Sequence, residues 1–258
     1  MMTLADHGPD TFVGVGPRYP WGGLYGGHIV AQSLRAASLT VDERFRVHSL
    51  HAFFIRKGDQ EEPIRFEVDR LRNGRSFVTR AVVARQSSGA ILNLSASFQV
   101  DEEATDVQSA VPPPAAAPEE CEATSWSELF DRRWTETTGR GRASAWMRIT
   151  TPVSVPVSDV THACALAYLS DDLPTDAVFR LHPEIEGSTE EDWFGTSLDH
   201  SMWFHRPAPA DEWTLWDFHC NGLLSSRGLA VGEAFTADGT HVATVAQEVL
   251  MRRRRPVG

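Results

Sequence analysis

The chain has 258 residues, of which 41% are hydrophobic, so it can form a sizeable core and is not a disordered protein. Its net charge of −11 opposes nucleic-acid binding, and no apolar run approaches the roughly 18 residues that span a bilayer. Three cysteines without metal-binding spacing, and a first segment unlike a signal peptide, favour a cytoplasmic protein that contacts neither nucleic acid nor membrane.

The first predicted elements are one helix and four strands. Apolar residues at helical spacing over 26–37 predict a helix that opens with Gly26 and Gly27. Backbone N–H groups at such an opening can approach a ligand closely. Strand patterns follow at Val47–Ile55, Ile64–Leu71, Phe77–Gln86 and Ala90–Val100, with turn residues between them. This order predicts an antiparallel sheet wrapped around a central helix.

The composition changes after this unit. Residues 105–125 are rich in Pro, Ala and acidic side chains, which predicts a linker. A segment bearing tryptophans, 126–146, comes next, then a predicted helix at Val160–Leu169 and a predicted loop that extends to Phe194. The remaining predicted strands are Thr196–Phe204, Thr214–Asn221, Arg227–Thr236 and His241–Arg252.

The two parts of the chain repeat one pattern about 150 residues apart. Ile91–Val100 aligns without gaps with His241–Leu250, and the turn at Gly89 aligns with the turn at Gly239. A repeat of this length indicates two copies of one β-rich unit. We therefore predict an N-terminal repeat (1–104), a linker (105–125) and a C-terminal repeat (126–258), with a site in the cleft between the copies.

Few residues point to chemistry by themselves. His48 and His51 have an odd spacing on a strand, as do His200 and His205, so each pair faces opposite sides and we expect no metal site. The sequence also lacks the Gly-x-Ser-x-Gly nucleophile elbow of α/β-hydrolases.

Gln247 is the most informative polar residue. Strand alternation places it on one face with Val245 and Val249, so its amide should be buried and in need of partners. It either bonds the neighbouring backbone or points into a cleft, where it holds a polar group or water. Taken alone, an acid after a helix, such as Asp171, is most often a solvated loop residue, and a serine at a strand start, such as Ser197, indicates almost nothing.

Several segments together closely resemble the acyl-CoA thioesterase II family. In the C-terminal part they are Leu169–Asp171, Thr196–Pro207 and Ala246–Glu248, and the run from Asp199 to His205 is the most specific. In the N-terminal part they are Gly26–Gln32, Val47–His51 and Arg72–Phe77. The resemblance extends from about Gly22 to Arg252.

This resemblance implies the α+β double hotdog fold: two tandem hotdog repeats, each an antiparallel sheet around a central helix. It implies an enzyme of lipid metabolism that hydrolyses acyl-CoA to free fatty acid and CoA, without a cofactor, as a homodimer or homotetramer. The family's catalytic acid, hydroxyl and amide fall on Asp171, Ser197 and Gln247. Gly27, near the thioester carbonyl, and His48 are the implied substrate-binding residues.

Three alternatives stay open. Asp172 departs from the family pattern, so either Asp171 or Asp172 can be the acid that faces the cleft. A hotdog hydratase or dehydratase of enoyl thioesters would use a histidine near the carbonyl, for which His28 is the candidate. A protein that binds acyl-CoA without catalysis would keep the fold and lose the chemistry.

Overall fold

The computed structural model describes residues 2–137, 139–153, 155–157, 159–185, 188 and 192–254. Within these residues, fourteen strands form one continuous sheet, and the paired strands are antiparallel. None of the helices in this part of the chain is both long and apolar enough to cross a membrane.

The N-terminal half contains the helix α1 (Gly26–Ser38), which packs on the strands of its own half. The predicted apolar face is confirmed, since Val30 and Leu34 have no exposed surface. The strands of this half are β1 (Ala5–Asp6), β2 (Thr11–Gly14), β3 (Phe45–Phe54), β4 (Ile64–Asn73), β5 (Phe77–Gln86) and β6 (Gly89–Val100). The four predicted strands correspond to β3–β6, whereas the sequence pattern did not indicate β1 and β2.

The C-terminal half contains two consecutive helices, α2 (Val160–Leu169) and α3 (Pro174–Leu181). The prediction of a loop from residue 169 to 194 is wrong where α3 lies. Pro174 is well suited to the first turn of a helix, and burial of Ala177 and Val178 stabilises it. The strands of this half are β7 (Glu122–Ala123), β8 (Phe130–Trp134), β9 (Arg142–Ile149), β10 (Trp193–Ser197), β11 (Asp199–Phe204), β12 (Thr214–Leu224), β13 (Arg227–Thr236) and β14 (His241–Arg253).

The strand order is equivalent in the two halves. It is β4-β5-β6-β3 in the first and β12-β13-β14-β11 in the second, with β2 beyond β4 and β9 beyond β12. Gly89 and Gly239, which the sequence repeat aligns, both have positive φ angles, 108° and 88°. The topology therefore repeats in the same places as the sequence pattern.

The halves meet along β3 and β11, and across α1 and α2. Leu50 on β3 is opposite Met202 on β11, and Ala52 is opposite His200. On the helical side of the sheet, α1 packs against α2. Because Leu50 and Met202 have no exposed surface, the core continues from one half into the other.

The segment predicted as a linker is attached to the C-terminal half. It contains a short 3-10 helix (Pro118–Glu120) and β7. The Gln108 amide donates to Gly239 O and accepts from His241 N, both at 2.8 Å. The indole of Trp146 donates to Ala116 O at 2.9 Å.

Candidate active site

Four of the five residues predicted for the site meet where α1 and α2 adjoin. Asp171 follows the C-terminal end of α2, and 6% of its surface is exposed. Ser197 at the end of β10 donates its hydroxyl to Asp171 Oδ1 at 3.0 Å. Gln247 Nε2, on β14, donates to Ser197 Oγ at 2.8 Å. The backbone N–H of Gly27 donates to Asp171 Oδ2 at 2.8 Å.

The side chain of Gln247 is completely buried, as strand alternation predicts. Its nitrogen donates to Ser197, and its oxygen Oε1 is hydrogen-bonded to His200 Nδ1. Both of these partners are side chains, so hydrogen bonds to the neighbouring backbone do not account for the buried amide.

Two further polar residues, which were not predicted for the site, extend these contacts. His200 on β11 has no exposed surface, and its Nε2 lies 2.9 Å from Ser170 Oγ. The only signal for His200 was its place in the most specific stretch of the family resemblance. No group of three or more potential metal ligands occurs in the part of the chain that the structure describes. The carboxylate network denotes Ser170, Asp171, Ser197, His200 and Gln247.

Asp171 also caps the N-terminus of α1. The N-cap residue of this helix, Tyr25, makes no side-chain capping bond, and Asp171 supplies the acceptor from the other half of the chain. A Cβ at Gly26 would lie 2.5 Å from Asp171 Oδ2, and one at Gly27 would lie 2.3 Å from Tyr168 O. Gly26 therefore lets the carboxylate approach the start of α1, and Gly27 lets the backbone at the end of α2 approach it.

Burial raises the pKa of Asp171 from 3.8 to about 6. The Gln247 amide, the Ser197 hydroxyl and the Gly27 N–H oppose this rise, and the negative charge of Asp172 adds to it. No cation forms an ion pair with Asp171 in the described residues. The carboxylate can therefore change its protonation state close to neutral pH, as a general base must.

Asp172 has a different environment. Its carboxylate forms an ion pair with Arg132 at 2.8 Å and accepts a hydrogen bond from the Trp126 indole at 2.6 Å. Both charged side chains are largely buried. Asp172 therefore holds β8 and Trp126 against the helices, and Asp171 is the acid that faces Ser197.

Aromatic side chains form a wall beside the carboxylate network. The ring of Trp126 lies 5.0 Å from Tyr25 and 4.9 Å from Trp21. The hydroxyl of Tyr25 donates to Tyr168 O at 2.9 Å. Trp21 is 47% exposed, so this wall reaches the protein surface next to the start of α1.

His48 lies apart from the network. Its Nε2 is 2.8 Å from Ser97 Oγ, and it lines a cavity of about 500 Å³ with residues from the end of α1 and the start of α2. Along the β3–β11 seam, the residue opposite His200 is Ala52, four positions beyond His48. The structure does not bring His48 to Asp171, and its role in substrate binding stays a prediction.

The arrangement suits proton abstraction next to a site for negative charge. Asp171 can accept a proton, and hydrogen bonds connect it to Ser197 and, through Ser197, to Gln247. The N-terminus of α1 carries the positive end of the helix dipole, which favours an anion.

Two models of protein families match the chain. The acyl-CoA thioesterase N-terminal domain matches residues 16–99, and the acyl-CoA thioesterase C-terminal domain matches residues 102–251. Together they include every residue of the carboxylate network, as well as Gly27.

Individual proteins agree with this match. Acyl-CoA thioesterase 2 of Haemophilus influenzae is 32% identical, and the alignment covers 89% of this chain and 87% of the relative. The structure of acyl-CoA thioesterase II TesB2 from Mycobacterium marinum is 35% identical, with a TM-score of 0.81 over 100% of this chain and 97% of that one. A hot dog fold protein from Alicyclobacillus acidocaldarius, 20% identical, has a TM-score of 0.80 over 98% and 97% of the two chains. This chain thus has a hotdog fold and belongs to the acyl-CoA thioesterase family.

Proposed function

We propose that this protein hydrolyses acyl-CoA thioesters to free fatty acid and CoA, with Asp171 as the general base and Ser197 and Gln247 as the groups that position water. Membership of the acyl-CoA thioesterase family supports the reaction class. The observation that carries the residue assignment is a buried carboxylate, unpaired with any cation in the described residues, that is hydrogen-bonded to Ser197 and to the start of α1.

In the proposed reaction, water attacks the thioester carbon and transfers one proton to Asp171. The carbon–oxygen bond forms, and negative charge develops on the carbonyl oxygen, which faces the N-terminus of α1. The carbon–sulfur bond then breaks, and the CoA thiolate leaves with the proton that Asp171 gives back. No covalent intermediate with the protein is required.

The start of α1 has two roles in this proposal. The Gly27 N–H already donates to Asp171, so the carbonyl oxygen is stabilised by the positive helix end as a whole rather than by this N–H alone. In this proposal, Gly27 binds substrate because it has no side chain, so the thioester can lie close to its backbone. We retain His48 as a second substrate-binding residue.

The hydratase alternative has less support from the geometry. His28, its candidate histidine, has no exposed surface and lies between the rings of Tyr19 and Tyr168. Binding of acyl-CoA without catalysis does not require a buried carboxylate with a raised pKa, whereas general-base catalysis does, so the environment of Asp171 favours catalysis.

We also propose that the hotdog fold is present twice, with repeats at 1–104 and 126–258 and a linker at 105–125. The equivalent strand orders and the two adjacent family models support this division. We further propose a cytoplasmic enzyme of lipid metabolism that forms a homodimer or homotetramer. Exposed apolar residues on the outer face of the sheet, Phe53, Trp203 and Leu229, support self-association.

The decisive experiment measures free thiol released from acyl-CoAs of short to long chain length. Asp171→Asn should lower kcat by about 100-fold or more, because the amide cannot accept the proton from water. With the native chain, kcat/KM should fall as the pH decreases below about 6, because protonation of Asp171 removes the base.

Asp217→Asn is the matched control, since Asp217 is a partly buried carboxylate on β12 that pairs with Arg142 instead. It should leave turnover unchanged. Full turnover in a folded Asp171→Asn protein would remove Asp171 from the mechanism, and absence of thiol release from every acyl-CoA would refute hydrolysis.

A further inference from the structure

Both ring nitrogens of His200 take part in hydrogen bonds. Its side chain has no exposed surface, Nδ1 contacts Gln247 Oε1, and Nε2 lies 2.9 Å from Ser170 Oγ. Burial lowers the pKa of His200 to about 4, and the hydrogen bond with Gln247 opposes this shift. The ring is therefore neutral above this pH, so one nitrogen carries a proton and the other accepts one.

An ionised Asp171 determines the direction of each hydrogen bond in the carboxylate network. A carboxylate only accepts, so Ser197 spends its single proton on Asp171 and must accept from Gln247 Nε2. Gln247 Oε1 is then turned toward His200, whose Nδ1 must carry the proton. The bare Nε2 accepts from the Ser170 hydroxyl.

The opposite direction is also complete. A protonated Asp171 donates to Ser197, and the amide of Gln247 rotates so that its nitrogen donates to His200 Nδ1. The proton of His200 then sits on Nε2, and the Ser170 hydroxyl donates to a backbone carbonyl of α2, 3.0 Å away. The position of one proton on His200 therefore distinguishes the two directions of the network.

We propose that His200 is a positioning residue for thioester hydrolysis: as the Nδ1–H tautomer, it holds the Gln247 amide in the orientation that donates to Ser197. It is too deeply buried to touch substrate and acts through Gln247 alone. This inference rests on the proposed function and adds the requirement that Ser170 donates to Nε2. Its effect is to keep the Ser197 hydroxyl directed at an ionised Asp171.

The tautomer is tested first, by nitrogen-15 NMR of the native protein with labelled histidine at about pH 8, where Asp171 is ionised. The chain has 10 histidines, so the His200 signals are identified by comparison with His200→Asn. We expect the Nδ1–H tautomer, which is the less common form of a free neutral histidine. The Nε2–H tautomer, or a protonated ring, overturns the proposal.

Kinetics test the role itself. In His200→Leu, kcat should fall roughly tenfold or more, the loss expected when the buried Gln247 amide has no partner, while KM changes little. The acid limb of the kcat/KM profile should move to higher pH. Without His200, Gln247 no longer directs the Ser197 hydroxyl at Asp171, so the ionised form of Asp171 loses a hydrogen-bond donor. In His200→Asn, the amide N–H can replace Nδ1–H. This variant should have a higher kcat than His200→Leu, and the pH of its acid limb should be closer to that of the native protein.

His241→Asn is the matched control. His241 is also buried in the same half, and its Nε2 is hydrogen-bonded to the backbone oxygen of Ala243 rather than to the carboxylate network. It should retain the native kcat and acid limb. A folded His200→Leu that behaves like this control, or a His200→Asn no better than His200→Leu, refutes the positioning role.

The outcome is separable from that of the proposed function. If Asp171→Asn retains turnover, the general-base assignment fails while the tautomer measurement remains valid. If His200→Leu does not fold, Ser170→Ala replaces it: loss of the hydroxyl that contacts Nε2 should lower kcat and move the acid limb of kcat/KM to higher pH, and no change in either refutes the proposal.

Discussion

Asp171 and Asp172 are adjacent in sequence and differ in what surrounds their carboxylates. Asp171 receives hydrogen bonds from the neutral groups of Ser197 and Gly27. Asp172 is paired with Arg132. Because the Asp171 carboxylate is desolvated without a nearby compensating cation, its pKa is raised to about 6, which allows it to take up a proton near neutral pH.

This poise has a cost in stability. The folded state holds the proton of Asp171 more tightly than the unfolded chain does, since the pKa rises from 3.8 to about 6. The contribution of this group to the free energy of unfolding therefore decreases as the pH rises through that interval, by at most about 3 kcal/mol.

Asp171→Asn should consequently increase the free energy of unfolding by about 1–3 kcal/mol at about pH 8 while it lowers turnover. The amide imitates the protonated acid, since its oxygen can accept from Gly27 and its nitrogen can donate to Ser197. Urea denaturation at about pH 8 and about pH 4.5 measures the difference, which should shrink at the lower pH. An equal loss of stability at both values would contradict this account.

Among the elements, two turns at different positions in the sheet place residues at positive φ with different side chains. Gly89 begins β6 with a φ of 108°, a conformation suited to glycine. The connection from β12 to β13 instead places Ser225 and Ser226 at φ angles of 52° and 63°. Two consecutive left-handed residues form the hairpin geometry that favours Asn-Gly.

Replacing this pair by Ser225→Asn and Ser226→Gly should raise the free energy of unfolding by about 1 kcal/mol, because the left-handed strain is relieved. Thermal denaturation measures the gain, and kcat should not change. Gly89→Ala is the opposite control and should destabilise by about 1 kcal/mol, since alanine disfavours its positive φ. A destabilised Asn-Gly variant would show that these serines make contacts worth more than the strain.

In the whole molecule, the seam is both the structural junction and the location of the proposed site. Asp171 from the second half caps α1 of the first, while β3 pairs with β11 and the cores are continuous. Neither half can therefore lose its structure without exposing apolar surface of the other.

We expect the chain to unfold in one cooperative transition despite its internal repeat. In urea titrations, hydrogen exchange should give the same unfolding midpoint for the amides of β5 and β13, which lie in opposite halves. Circular dichroism of the whole chain should give that midpoint too. The variant Leu50→Ala at the seam should lower both midpoints together. The corresponding decrease in the free energy of unfolding should be about 2–5 kcal/mol. Separate midpoints for the two strands would indicate independent repeats.

Residue patterns alone predicted most of the local elements and suggested the repeat that we propose. Alternation located β3–β6 and β11–β14 to within a few residues, helical spacing located α1 and α2, and parity placed Gln247 inside. These patterns depend on residues close together in the chain. Burial of one face makes apolar residues recur every two residues in a strand and about every 3.6 residues in a helix. The short helix α3 was missed, because eight residues carry too little of that period to distinguish it from a loop.

The assembly of the proposed site depends on tertiary contacts. Residues 27, 171, 197, 200 and 247 approach one another only because β3 pairs with β11 and α1 packs against α2. Tertiary contacts also pair Asp172 with Arg132 and bring His200 to Gln247. They place His48 at a separate cavity. No local pattern encodes such contacts, because they depend on the distance between side chains that lie far apart in the sequence.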